Sequence, residues 1–232
     1  MGNTAPKKKH IFLKVLAVIA AALLLLFAVL RATHVILRVG GHYTTCFASE
    51  ASGGVQVSEL IYMKRLKKLN LQTLYQAYPT DDDLLDVDFL TKLTKLEHLT
   101  LWREYEDTGK LKRIPSLRNS PDLYYVNILE DSMEDLGFIS ENSALKYLTI
   151  HSFNSGIKDI SGLRNKPFLE TLTLWNADCT DYSVLLELPA LKDLTVIGSM
   201  IPDDIRNELL SRGVQVDNYL TYAEYSAAEY DK

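Results

Sequence analysis

Apolar residues recur along this chain in one repeated arrangement. It reads Leu96-x-x-Leu99-x-Leu101, Leu123-x-x-Val126-x-Ile128, Leu145-x-x-Leu148-x-Ile150, Leu169-x-x-Leu172-x-Leu174 and Leu191-x-x-Leu194-x-Val196. A weaker copy opens at Leu71-x-x-Leu74. The alternating pair that closes each copy, such as Leu172 and Leu174, predicts a short strand with both side chains on one face. Further apolar columns follow each strand. The first holds Leu84, Leu111, Met133, Ile157, Cys179 and Ile201. Three residues on come Val87, Ile114, Leu136, Ile160 and Tyr182, and three later Leu90, Leu117, Ile139, Leu163 and Leu185.

The copies start at 71, 96, 123, 145, 169 and 191, separated by 25, 27, 22, 24 and 22 residues. That interval and that core are those of a leucine-rich repeat. One unit is too small to bury its apolar side, so the columns predict stacking into a continuous core. The expected fold is an α/β solenoid of about six repeats of 22–27 residues, at positions 71–216, with a parallel concave sheet.

Asp86, Asp135, Asp159, Asp181 and Asp203 stand just before the second apolar column, where only Arg113 departs. A carboxylate there can accept hydrogen bonds from free backbone amides opening a short helix or turn. A ladder of metal-binding carboxylates would need oxygens converging on one point, and one per repeat does not converge. No metal and no cofactor is expected.

The run Ile157-Lys158-Asp159-Ile160-Ser161-Gly162-Leu163, leading into Leu169-Glu170-Thr171-Leu172-Thr173-Leu174, resembles the internalin-type leucine-rich repeats of bacterial surface proteins. The resemblance covers about residues 71–210 and implies a surface setting. The family's Asn before the first apolar column is replaced here by Glu104, Asp131, Ala177 and Ser199.

Residues 15–30 are all apolar, and residues 11–30 are long enough to cross a bilayer, with Lys14 near one end. Lys7, Lys8, Lys9 and Lys14 precede the apolar core, and Arg31 and Arg38 follow it. The larger positive cluster predicts a cytoplasmic segment 1–10, a single transmembrane anchor with its flank at 11–37, and a repeat domain outside. A cleaved signal peptide is the competing reading, but Ala28-Val29-Leu30 and Leu30-Arg31-Ala32 are poor cleavage sites.

Charge sharpens this division. Residues 1–38 hold six of the 25 Lys and Arg and none of the 30 acids, leaving 19 basic against 30 acidic residues beyond. Such a domain is a poor ligand for nucleic acid and is repelled by anionic lipid, within a screening length of about 8–10 Å. Two cysteines make no disulfide framework; Cys179 falls in an apolar column and Cys46 lies far away along the chain.

Gly40-Gly41 and Ala51-Ser52-Gly53-Gly54 suggest a flexible stalk at 38–57. Leu60, Met63, Leu66 and Leu69 recur every three residues among Lys64, Arg65, Lys67 and Lys68, which predicts an amphipathic capping helix at 58–70. A membrane-surface role for those four basic residues is the competing use. A second helix is expected from Pro202 to Arg212, then an edge strand at Val214–Val216, then a mobile tail at 217–232.

Residues between the strand leucines form the concave face. Their columns read Thr73, His98, Tyr125, Tyr147, Thr171, Asp193; Tyr75, Thr100, Asn127, Thr149, Thr173, Thr195; and Ala77, Trp102, Leu129, His151, Trp175, Ile197. Threonine and tyrosine suit any strand surface. Both tryptophans of the chain, however, share one column. Exposed aromatics anchor interfaces, so Trp102 and Trp175 are the first candidates for binding a protein partner, with Tyr125, Tyr147, His151 and His98 around them. The competing reading packs this column beneath adjoining loops. Inserted residues at 78–83, 103–110 and 152–156 gather on one edge, made acidic by Asp81, Asp82, Asp83, Glu104, Glu106 and Asp107. Enzyme signatures do not appear, and the expected role is binding rather than catalysis. A carbohydrate-binding module of the envelope and a structural subunit of a membrane complex are the alternatives.

Overall fold

A computed structural model describes residues 5–39, 42–52, 57–72, 87–102, 113–130, 133–152 and 156–230. An apolar helix, α1 (Ala5–Ala32), leads into an antiparallel hairpin of β1 (Ile36–Val39) and β2 (His42–Thr45). Then come β3 (Glu50–Ser52), β4 (Lys68–Gln72), β5 (His98–Trp102), β6 (Tyr125–Glu130), β7 (Tyr147–Ser152), β8 (Thr171–Trp175) and β9 (Asp193–Ile197). Helix α2 (Asp203–Ser211), β10 (Gln215–Tyr219) and helix α3 (Tyr222–Tyr230) close the chain. Among the described residues, β3 to β10 lie side by side in chain order as one parallel sheet of eight strands. The predicted fold, a leucine-rich-repeat solenoid after one N-terminal apolar helix, is the fold observed.

Register follows the leucine spacing. Leu69, Leu99, Val126, Leu148, Leu172 and Leu194 are aligned strand by strand, as are Leu71, Leu101, Ile128, Ile150, Leu174 and Val196. All twelve are buried in a single core. The chain returns between strands through 3₁₀ turns at Val57–Tyr62, Asp88–Lys92, Gly137–Ile139, Ser161–Leu163 and Ser183–Glu187. The starts of the last three are fixed by the aspartate column. The amides of Gly137, Ser161 and Ser183 each donate to Oδ1 of Asp135, Asp159 and Asp181 at 2.8 Å, closing a turn two residues long. Asp203 instead opens α2, and Asp86 lies outside the described residues.

The N-terminal end departs from the sequence reading in two places. Residues 58–70 form no capping helix. They form the 3₁₀ turn and strand of an earlier repeat, whose core is Leu66-x-x-Leu69-x-Leu71. A spacing of three suits one face of a helix, but it also suits a 3₁₀ turn, a bend and a strand entry in succession. The backbone bonds Met63 N–H to Leu60 O and Leu66 N–H to Met63 O match those of Leu93 and Leu96 in the next repeat. Lys68, Asn70 and Gln72 therefore stand in the concave columns in place of Thr73, Tyr75 and Ala77, which lie outside the described residues.

Nor is the segment 38–57 a flexible stalk, where it is described. His34 adopts a left-handed conformation (φ 55°) at the end of α1, and Val35 N–H donates to Leu30 O. The hairpin follows at once, and β3 pairs with β4. Arg31 grips the Glu59 carboxylate with both guanidinium nitrogens, at 2.6 and 2.8 Å, while the Arg38 amide donates to the same carboxylate. The Arg31 hydrogen bond is the main reason that the Glu59 carboxyl falls to about 2. His34 stacks on Tyr62 at 3.8 Å. The glycine pairs 40–41 and 53–54 lie outside the described residues.

Three polar side chains are buried in one column, three residues before the repeat starts, where other repeats carry Met63, Leu93 and Leu188. Ser120 Oγ donates to Leu93 O at 2.7 Å, and Asn142 Nδ2 donates to the carbonyls of Leu117 and Ser120 at 3.0 Å. Lys166 is 1% exposed, and its ammonium donates to Ser140 O and Arg164 O. Each side chain thus ties its own turn to the previous one. Burial lowers the Lys166 ammonium to about 8, whereas in the unfolded chain it titrates near about 10.4. Between these values the unfolded chain binds more protons, so the stability set by this residue rises as pH climbs from about 8 to about 10.4. Lys166→Met, similar in length and uncharged, should lose that rise. Urea unfolding at pH 7.5 and pH 10 measures it, and an identical pH response in variant and parent would contradict it.

Candidate functional site

Because the strands are in register, each of the three concave columns becomes a continuous row. One row runs Trp102, Leu129, His151, Trp175, Ile197 and Tyr219 near the strand ends. A second runs Lys68, His98, Tyr125, Tyr147, Thr171 and Asp193 at the strand beginnings. They lie four residues apart along each strand, about 13 Å. Between them Asn70, Thr100, Asn127, Thr149, Thr173 and Thr195 form a polar stripe.

The six candidate residues divide between the two rows. Trp102, His151 and Trp175 share the first, while His98, Tyr125 and Tyr147 share the second. His98 stacks face to face on Tyr125 at 4.0 Å, and Tyr125 lies 6.2 Å from Tyr147. The two histidines therefore fall in different rows as well as different repeats. Trp102 is 44% exposed. Trp175 is half-buried, with His151 4.3 Å away on one side. Burial holds His151 down to about 4, so its imidazole is neutral at physiological pH, and burial with the Lys68 charge also lowers His98. Lys67 with Glu97 and Lys192 with Glu170 form ion pairs beside the second row.

The segment 217–232, expected as a mobile tail, is ordered through Tyr230. Residues 215–219 extend the sheet, and α3 follows. Tyr222 and Tyr225 lie 5.2 and 5.1 Å from Trp175, and Tyr225 lies 5.6 Å from Tyr219. Among the described residues, the cover over Trp175 comes from the C-terminal helix α3. The available signal was the pair Tyr222 and Tyr225, three apart on one helical turn, following Tyr219 at the strand end. Between Trp102 and this helix opens a cavity of about 470 Å³, lined by Leu129, His151, Trp175, Ile197, Leu220 and Tyr222 among others. Leu129 and Ile197 share this column with the tryptophans and line the cavity beside them. The acidic residues Asp81–Asp83, Glu104, Glu106 and Asp107 lie outside the described residues.

Cys179 is a free thiol that donates to Ile157 O at 3.1 Å, and burial raises it to about 11. Cys46 is also free.

No family model matches the sequence, and no curated protein is similar to it in sequence. Among solved structures, the chain is similar to an internalin C2 from Listeria monocytogenes, with 18% identity over 77% of this chain and 85% of that one, at a TM-score of 0.50. It is also similar to an internalin (inlF) from the same organism, with 21% identity over 71% of this chain, at a TM-score of 0.45. It spans half of that second structure. The likeness to internalin C2 is one of fold, the internalin-type leucine-rich-repeat solenoid.

Proposed function

From a leucine-rich-repeat fold like that of internalin C2, we propose a membrane-anchored module that binds a protein partner along its concave sheet, outside the cytoplasmic membrane. The row from Trp102 to Trp175, with its 470 Å³ cavity, carries this reading. It offers aromatic and aliphatic area beside a polar stripe, the composition of an interface centre with its rim. The face accepts an apolar anchor side chain between Trp102 and Trp175, with Tyr125, Tyr147 and His98 contacting the flank of the same partner.

The anchor reading rests on α1. Its stretch Leu13–Ala32 is 20 residues long and predominantly apolar, and none of its residues is fully buried among the described residues. Four lysines, at 7, 8, 9 and 14, precede the apolar core and two arginines, Arg31 and Arg38, follow it, which favours a cytoplasmic N-terminus.

Crosslinking capture from intact cells, read by mass spectrometry, tests the site. A Trp102→Ala/Trp175→Ala variant is expected to lose a specific protein, since anchors of this type each contribute about 2 kcal/mol or more, or roughly 30-fold in affinity. Trp102→Ala alone should weaken capture too, and it leaves the Trp175 packing on Tyr222 and Tyr225 intact. Unchanged capture by a variant that remains folded would remove recognition from this face.

A further inference from the structure

The junction between α1 and the solenoid carries a second surface. The Phe27 ring, inside the apolar span, meets the Tyr43 ring of β2 edge-on at 5.3 Å. Phe27 precedes the end of α1 by five residues, about 7–8 Å of helix. Tyr43 is therefore level with the last turns of the apolar helix and not above them. It is 60% exposed, as is Phe47 just after the hairpin. Cations accompany both rings: the Arg31 guanidinium lies 5.8 Å from the Tyr43 ring, and that of Arg65 lies 5.7 Å from Phe47. A tyrosine beside an arginine settles at the boundary between acyl chains and headgroups, where an exposed phenylalanine can bury its ring.

The geometry points to the N-terminal end of the solenoid as a lipid-docking surface, with Tyr43 and Phe47 inserted in the headgroup boundary of the bilayer that α1 crosses. This rests on the membrane reading of α1. The Arg31–Glu59 clamp, the His34–Tyr62 stack and the β1–β2 hairpin hold the surface against the helix. The occupant is lipid and not a second protein, because the exposed Tyr43 ring continues the apolar surface of α1 through its contact with Phe27. The strands beyond β4 follow in chain order from this end, so the later repeats lie farther from the docking surface.

The test uses the full chain in nanodiscs of phosphatidylcholine whose acyl chains carry bromine both near the headgroup and near their ends. Tyr43→Trp, Phe47→Trp, Leu24→Trp within α1 and Leu210→Trp on α2 each add one fluorophore to the Trp102 and Trp175 background. Circular dichroism confirms folding of each variant. Emission added at positions 43, 47 and 24 is expected to be quenched by bromine, and emission added at 210 is not. Quenching at 24 without quenching at 43 and 47 would overturn the docking surface and leave the anchor standing. Quenching at all four, including 210, would also overturn it, placing the whole domain on the lipid. No quenching at 24 would take away the anchor itself, and the docking surface with it.

Discussion

Gly162→Ala should cost the solenoid about 3 kcal/mol or more, the largest effect expected of a single methyl group here. Gly162 lies in the 3₁₀ turn Ser161–Leu163, and a Cβ built there would meet the Leu136 carbonyl oxygen at 2.1 Å and its carbon at 2.6 Å. Both are backbone atoms of the preceding turn, so no rotamer change can make room. The two repeats would have to separate, exposing Leu136, Ile160 and Leu163, which are buried between them. Gly213→Ala is the control. Its φ is +82°, but nothing lies within 4 Å of the added carbon, so only the conformational cost of about 1 kcal/mol applies. Denaturant unfolding of both variants decides the matter. Equal losses would mean that the close approach at Gly162 relaxes freely.

Asn142→Ala should cost about 2–3 kcal/mol, well above the loss for an ordinary polar surface residue. Its amide is the shared donor to Leu117 O and Ser120 O, and the residue is fully buried. Truncation leaves two carbonyls without this donor and opens a gap in the middle of the stack. Native-state hydrogen exchange gives a local readout. Amides of the turn from Leu117 to Leu123 should exchange faster, while those of α2 should not. A loss below about 0.5 kcal/mol, the range of ordinary surface changes, would show that the column fills space and does not bridge turns.

The solenoid was legible because burial imposes its spacing directly: each strand must aim two side chains at one core, and leucine does this from Leu96 onward. The first repeat was misread because Leu60, Met63, Leu66 and Leu69 satisfy two geometries at once. Only the pairing of Leu69 with Leu99 separates them, and that contact is remote in sequence. Ser120, Asn142 and Lys166 gave no warning of burial, since such residues ordinarily face water. Their role depends on carbonyls supplied by the preceding turn. The concave rows were readable from the repeat, including the shared place of Trp102 and Trp175. What covers Trp175 was not, because α3 carries alanine, serine and acids without an apolar stripe and is placed by tyrosine contacts.

The stiff joint at the end of α1 has a consequence for reach. A binding face on a slack tether samples all headings and can meet a partner from any side. Here the hairpin and the Arg31–Glu59 pair brace the end of α1, which narrows the headings the sheet can take relative to the helix axis. With α1 in a bilayer, a partner embedded in the same sheet of lipid would meet a face already aimed, and one approaching along the wrong azimuth would miss it.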